Sequence, residues 1–351
     1  MTLVHIIGCI EGNYTGYGVY TRGLWTALQR YKTPNIEFLF TEFRNTPQLN
    51  EHLQKVRDYP GDVYNIWLQV GPGDAILKHF KGQKIAYTMY EASALPSGWR
   101  DGLNAADRVF TPSVWGRDVM SANGVDPQKI KVVPGGVDAD AYNFWGPKLD
   151  LPNVPFKFLM VGKYEVRKGY DEALRAFKDV FGDDPNVMLL LKATSFVDQD
   201  AVAQIQAKIA EIGVPQAKLV DGAIQTHLMA SLYRSCDCLI YPSRGEGWGL
   251  PLIEAMASGL PVLTTNVSGH SEFLKGFDGR FGELKSDLKP LVALDHTKWY
   301  QYDDGPGDWY VPDYAALKTG LKKAHQRKIC PDPKALALDV MHQYSWDSAA
   351  Q

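Results

Sequence analysis

The chain has 351 residues, 45% of them hydrophobic and 22% charged, with a formal net charge of −3 and four cysteines. That length exceeds the size at which a single hydrophobic core stops growing, so two domains are expected. The small net charge gives no global attraction to nucleic acid or to an anionic membrane, and Cys9, Cys236, Cys238 and Cys330 fit neither a disulfide framework nor a zinc spacing, so they read as reduced core thiols.

Short β-rich apolar runs alternate with helical patterns along the first half: LVHIIGC, a helix from about Tyr17, EFLFTEF, VYNIWLQV, KIAYTMYE, RVFTPS and KIKVVPGG. Residues 143–156, NFWGPKLDLPNVPF, hold three prolines and no periodicity, which suits a linker. The alternation then restarts with KFLMVGK, the helix YDEALRAFKDVF, VMLLLKA, a helix near 199–211, AKLVDGA, a helix near 226–235, CLIYPS, the helix LIEAMASG and PVLTTN. Strands separated by helices imply parallel sheets of βαβ units, so the chain reads as α/β, two doubly wound domains in series. The expected boundaries are 1–145 for the first domain, 146–156 for the linker, 157–330 for the second domain and 331–351 for a tail. The basic stretch LKKAHQRK, residues 321–328, reads as a solvated helix face, with contact to an anionic membrane or polymer as the alternative. No stretch of eighteen apolar residues occurs, and the opening MTLVHIIGCIEGN lacks the pattern of a secretion signal, so a cytoplasmic location is expected.

Ligands of open parallel sheets sit beyond the carboxyl ends of the strands, so residues that follow strands carry the chemistry. After LVHIIGC, Gly16 and Gly18 precede a helix, where glycines let backbone amides approach an anion, although tight packing explains them too. A dinucleotide fingerprint needs a third glycine where Thr21 stands, which disfavours a dehydrogenase. After KFLMVG, Lys163, Arg167 and Lys168 gather three cations whose repulsion calls for solvent or an anion, and a diphosphate fits in charge and position. After CLIYPS comes SRGEGWGLPLIEAMASG, with Glu246 in a glycine-rich loop and Glu254 eight positions later at the start of a helix that Pro251 opens. Carboxylates so placed accept hydroxyls along an extended ligand while the amides of Gly247, Trp248 and Gly249 donate, and a nucleotide sugar offers both kinds of group.

The segments TGYGVYTRGL, YEASALPSGWRDGLNAADRVFTPSVWGRDVMSANGV, VVPGGVD, VGKYEVRKG and SRGEGWGLPLIEAMASGLPVLTTNVSGHSEFL resemble the retaining glycosyltransferases of family four. The resemblance implies the GT-B fold, two Rossmann-like domains facing a central cleft, with the acceptor on the first domain and the donor on the second. It implies that Glu254 binds ribose hydroxyls, that Glu246 faces the donor sugar, that Gly247, Trp248, Gly249 and Leu250 form the donor-binding loop, and that Lys163 and Lys168 hold the diphosphate. Lys163 stands where many relatives carry arginine, and Arg167 shares its task. Where many relatives present a histidine after a strand of the first domain, this chain reads MYEAS, and Glu91 takes the matching place toward the sugar or the acceptor.

The catalytic set implied by the resemblance is thus Glu246, Lys163, Lys168 and Glu91. The implied reaction moves a hexose from a UDP- or GDP-sugar to an acceptor hydroxyl with retention, without a metal or other cofactor. The acceptor is a carbohydrate, small molecule, lipid or polymer; a nucleic acid such as hydroxymethylated DNA draws no support from the net charge. A nucleotide-sugar-binding protein without turnover shares every donor residue, and a GT-B epimerase shares the fold. Tyr14, Tyr17, Tyr20, Trp99 and Trp115 are candidates for stacking on sugars, with core packing the commoner role for such residues. His5 reads as a core residue and His270 as a border of the donor site. Relatives return a C-terminal helix to the first domain, which is the expectation for the tail.

Overall fold

The computed structural model describes residues 2–8, 16–30, 35–42, 64–71, 73, 81–194, 201–220, 224–290 and 307–351, and Cys9 and Tyr14 lie outside them. It divides into two compact units, the first holding the chain up to Gly136 together with Tyr344–Gln351, the second beginning at Val137 and including Asp308–Gln343.

The first unit is a parallel sheet of β1 (Thr2–Gly8), β2 (Ile36–Glu42), β3 (Tyr64–Val70), β4 (Gln83–Tyr87), β5 (Arg108–Thr111) and β6 (Ile130–Val132), ordered β2-β1-β3-β4-β5-β6. β1 is buried continuously from His5 to Gly8, and its Leu3, Ile6 and Ile7 are fully buried. His5 is buried in the same strand with Nε2 at 2.8 Å from Asn65 Oδ1, and burial lowers its imidazole pKa. The helix Gly16–Arg30 follows β1 and buries Tyr20, Thr21, Leu24 and Ala27. On it rests the short helix Trp346–Ala350, whose Trp346 ring meets Tyr20 edge-on at 4.8 Å, while Arg30 pairs with Asp347 at 2.7 Å. A Cβ at Gly23 would lie 2.1 Å from that indole, so only glycine admits the ring there.

The second unit is a parallel sheet of β7 (Phe156–Lys163), β8 (Val187–Thr194), β9 (Ala217–Leu219), β10 (Cys238–Tyr241), β11 (Val262–Thr265) and β12 (Gly282–Leu284), ordered β12-β11-β10-β7-β8-β9. Phe158, Leu189, Cys238 and Ile240 are fully buried in it, and the helix Tyr170–Phe181 adds Ala173, Leu174 and Phe177 at helical spacing. The strand order reverses between β7 and β10, which pair in parallel with Cys238 opposite Phe158. Their carboxyl ends therefore open side by side, the place where such sheets bind ligands. An antiparallel pair, β13 (Ser286–Pro290) with β14 (Asp308–Pro312), completes this unit.

The division between units falls earlier than the proline-rich stretch. Residues 137–145, expected with the first domain, belong to the second because Arg234 on the helix Thr226–Arg234 ties them down: Nη1 donates to Asn143 O at 2.9 Å and Nε to Pro147 O at 3.0 Å. The helix Pro333–Gln343, expected in the tail, also belongs to the second unit, and only Tyr344–Gln351 joins the first. Cys238 and Cys330 are buried free thiols and Cys236 is half-buried. Among the described residues no helix is long and apolar enough to cross a membrane.

Candidate active site

β7 ends at Lys163 and the chain turns through Tyr164 and Glu165 into a 3-10 turn, Val166–Lys168, before Gly169 in the left-handed region (φ 71°) starts the next helix. A side chain at Gly169 would also press on Pro242 O at 2.8 Å, so glycine is needed for this turn to lie against the β10 loop. β10 ends at Tyr241, and Pro242 to Gly249 lead into the helix Leu250–Ala257, which carries proline in its first turn. Gly249 caps that helix at φ 92°, a conformation that strains any L side chain.

The two loops meet through ion pairs. Glu246 Oε1 accepts from Lys168 Nζ at 2.5 Å and from Ser243 Oγ at 2.5 Å, and lies 3.2 Å from Arg167 Nη1. Arg167 also bolts the turn to the loop, donating from Nη1 to Gly245 O at 2.6 Å while its own carbonyl accepts from Arg244 N–H at 2.8 Å. Lys168 donates as well to the Tyr241 hydroxyl at 3.0 Å. Glu165 spans the remaining cations, with Oε2 at 3.1 Å from Arg167 Nη2 and Oε1 at 3.8 Å from Lys163 Nζ. The three cations at the strand end are thus screened by Glu246 and Glu165, where their charge alone had called for solvent or a ligand anion.

Burial by itself would raise the Glu246 carboxyl, but Lys168 and Arg167, with the Ser243 hydroxyl, outweigh it and hold the group well below the usual carboxylate range. Burial pulls the Lys168 ammonium down and Glu246 pulls it back, so the two are read as a buried ion pair. Glu254 is equally enclosed but differently served. Its Oε2 accepts from the Tyr233 hydroxyl at 3.0 Å, the Tyr142 hydroxyl also bonds it, and no cation reaches it among the described residues. Burial pushes this carboxyl up to about 8, the phenols opposing and Asp138 adding to the rise.

A third segment fixes the loop from behind. After β11, Ser268 adopts φ 50° and its Oγ accepts the Glu246 N–H at 2.9 Å, while Gly269 N–H donates to Glu246 O at 2.8 Å. A Cβ at Gly269 would fall 2.0 Å from Gly247 O, so this close approach requires glycine. His270 is fully buried, donates from Nε2 to Thr265 O at 2.6 Å, and is pushed down to about 4 by burial, so it is a neutral imidazole. With Nε2 carrying the proton, its buried Nδ1 is an acceptor without a donor among the described residues.

The candidates of the second domain thus assemble: Lys163, Arg167, Lys168 and Glu246 share one network, Gly247, Trp248, Gly249 and Leu250 follow it, and Glu254 lies in the adjoining helix. Trp248 is 1% exposed and its ring packs on Phe273, so its side chain is a core group. In the first unit, Gly16 opens its helix with free space where a Cβ would stand, so packing does not require glycine there, and Gly18 is buried. Glu91 follows β4 in a turn held by Tyr17, whose hydroxyl donates to Met89 O at 2.7 Å. Tyr20 and Trp99 are core residues, and Trp115 is half-buried. The sequence reading missed Ser243, Ser268, Tyr142, Tyr233 and the screening role of Glu165. The only local signal for the serines was a small polar residue shortly after a buried strand, a pattern too common to single them out.

Comparison with known proteins bears on the same region. Residues 143–285 match the family described as Glycosyl transferases group 1. A D-inositol 3-phosphate glycosyltransferase of Xylanimonas cellulosilytica is 28% identical over 237 residues, covering 64% of this chain and 54% of that relative. The corresponding enzyme of Acidothermus cellulolyticus is 28% identical over 55% of this chain and 45% of its own length, so the chain spans about half the length of these relatives. Among solved structures, Anabaena HepE in complex with UDP and glucose superposes with a TM-score of 0.68 at 15% identity, over 100% of this chain and 97% of that one. Sucrose-phosphate synthase of Thermosynechococcus elongatus gives 0.67 at 16% identity, over 100% and 96% of the two chains. The two parallel-sheet units are those of the GT-B fold.

Proposed function

Proceeding from a chain of the family-four glycosyltransferase type, we propose that this protein transfers a hexose from a nucleoside-diphosphate sugar, UDP- or GDP-linked, to an acceptor hydroxyl with retention of anomeric configuration and without a metal. The observation that carries this reading is the cluster of Lys163, Arg167 and Lys168 joined to Glu246 at the switch point of the second sheet, inside the segment matched by the family. HepE, solved with UDP and glucose on the same fold, supports a donor of this class.

In this mechanism the bond between the anomeric carbon and the diphosphate oxygen breaks as the acceptor oxygen bonds the same face, and the acceptor proton ends on the departing diphosphate. The charge that grows on that leaving group is stabilised by Lys168, Lys163 and the amides of Gly247 to Leu250. Glu246, held ionised, accepts from hydroxyls of the sugar, and Glu254 in its ionised form accepts from the ribose. Glu91 acts from the first unit toward sugar or acceptor. The acceptor is a carbohydrate, small molecule, lipid or polymer of the cytoplasm.

The test is release of free nucleoside diphosphate from UDP- and GDP-sugars in a chelator, with and without an acceptor panel, and proton NMR of the product's anomeric centre. Release that one acceptor class stimulates, giving a product with the donor's configuration, is the expected result. Inversion, or activity abolished by the chelator, would overturn the corresponding part of the reading.

A further inference from the structure

The turn after β7 holds an anion of its own. Glu165 divides its two oxygens between two cations, Oε1 facing Lys163 at 3.8 Å and Oε2 facing Arg167 at 3.1 Å. Its side chain is 19% exposed, and the Lys163 side chain beside it is 41% exposed, so this pair borders solvent. The Glu246 side chain is 7% exposed and locked by Lys168, Ser243 and Arg167, with both backbone polar groups tied to Ser268 and Gly269. The two carboxylates on this cation cluster therefore differ in their exposure to solvent. A bidentate anion bridging two cations is also what two oxygens of a diphosphate would do there.

We propose that Glu165 is an internal counter-ion holding the place of an anionic ligand group between Lys163 and Arg167, and that a diphosphate seats on these cations by displacing it. The inference rests on the nucleotide-sugar reading of the site and adds to it a residue that sets phosphate affinity. Glu165 keeps Lys163 and Arg167 converged while no ligand is bound, and it lowers affinity for the diphosphate product by competing for the same cations. Removing its charge therefore tightens phosphate binding, opposite in sign to the loss expected when most binding-site residues are truncated.

Isothermal titration calorimetry of the full chain, wild type against Glu165→Gln, with uridine and guanosine and their mono- and diphosphates, tests this. The variant is expected to bind the matching diphosphate about threefold to tenfold more tightly, the monophosphate with a smaller gain and the nucleoside unchanged, the gain shrinking in high salt. Glu165→Ala removes the same charge without adding an amide and should show the same sign. Diphosphate affinity unchanged or weakened in both variants overturns the proposal. A wild-type protein that binds neither nucleoside diphosphate nor its sugar conjugates rejects the donor reading instead. Glu165 is then judged on inorganic pyrophosphate, where binding no tighter in the variants overturns the counter-ion role.

Discussion

Glu246 and Glu254 stand eight positions apart on one loop and helix, are 5% and 8% exposed, and are in opposite electrostatic states. Both pay the desolvation that favours a neutral carboxyl. At Glu246 two cations offset it and the group stays charged; at Glu254 the phenols of Tyr233 and Tyr142 oppose it only in part, no cation reaches it among the described residues, and the carboxyl rises to about 8. Burial alone therefore does not set the charge of a carboxylate, and the partner's charge decides it. One site thus holds a fixed anion clamping a cluster of cations and a second acid whose charge depends on pH.

The largest effect should come from removing the cation that makes the difference. Lys168→Ala is expected to cost about 3 kcal/mol of transition-state stabilisation, about a hundredfold in kcat, by loss of a charge-stabilising donor. It should also destabilise the fold by roughly 3–5 kcal/mol, because Glu246 is left with half of its cationic partners. Steady-state kinetics and thermal unfolding check both, and a rate within threefold of wild type would remove Lys168 from the proposed mechanism.

The next effect is the pH dependence of Glu254. If its carboxylate accepts the ribose hydroxyls, nucleotide affinity falls about tenfold per pH unit as pH drops below 8, and Glu254→Gln flattens that slope. The stability signs are opposite for the two acids. Glu254 titrates higher in the folded state, so it binds a proton there that the unfolded chain has lost, and stability falls as pH rises from about 4.5 through 8. Glu246 titrates lower when folded, so its contribution is present above about 4.5 and is lost as pH falls below it. Melting temperatures of wild type, Glu254→Gln and Glu246→Gln across this range separate the two, and a Glu254→Gln protein no more stable than wild type at pH 8 to 9 would contradict the assignment.

Tyr233→Phe removes one hydroxyl that favours the Glu254 anion. It should move the midpoint of the nucleotide pH profile upward and weaken binding at neutral pH by about fivefold, on the order of 1 kcal/mol for one hydrogen bond. The smallest change is expected from Ser243→Ala, a neutral donor to a carboxylate that keeps both cations. About 1 kcal/mol of stability and a severalfold loss in kcat with little change in nucleotide affinity are expected. An equal loss in Ser243→Ala and Lys168→Ala would show that geometry, rather than charge, holds Glu246.

The sequence exposed what local chemistry writes into it. Period-two apolar runs and the helical spacing of YDEALRAFKDVF marked the βαβ units, and glycines with Pro251 marked the loop that starts the helix of Glu254, because backbone conformation and one-sided burial act over a few neighbouring residues. The candidate cations and carboxylates were readable for the same reason, as polar residues that follow strands. The unit boundary at Val137 was not, since Arg234 binds the carbonyls of Asn143 and Pro147 from far along the chain.

The charge states of the site lay equally beyond the sequence. Lys168 reaches Glu246 across 78 positions once β7 lies beside β10, and Tyr233 reaches Glu254 across 21 once the helices on either side of β10 pack together. The sequence by itself determined the fold class and the inventory of ionisable groups, both of which depend on short-range pattern. Only the tertiary structure decided which carboxylate is an anion, which is an acid near neutrality, and that Glu165 already sits between Lys163 and Arg167. Electrostatic energy depends on distance in space and on exclusion of water, and neither is carried by spacing along the chain.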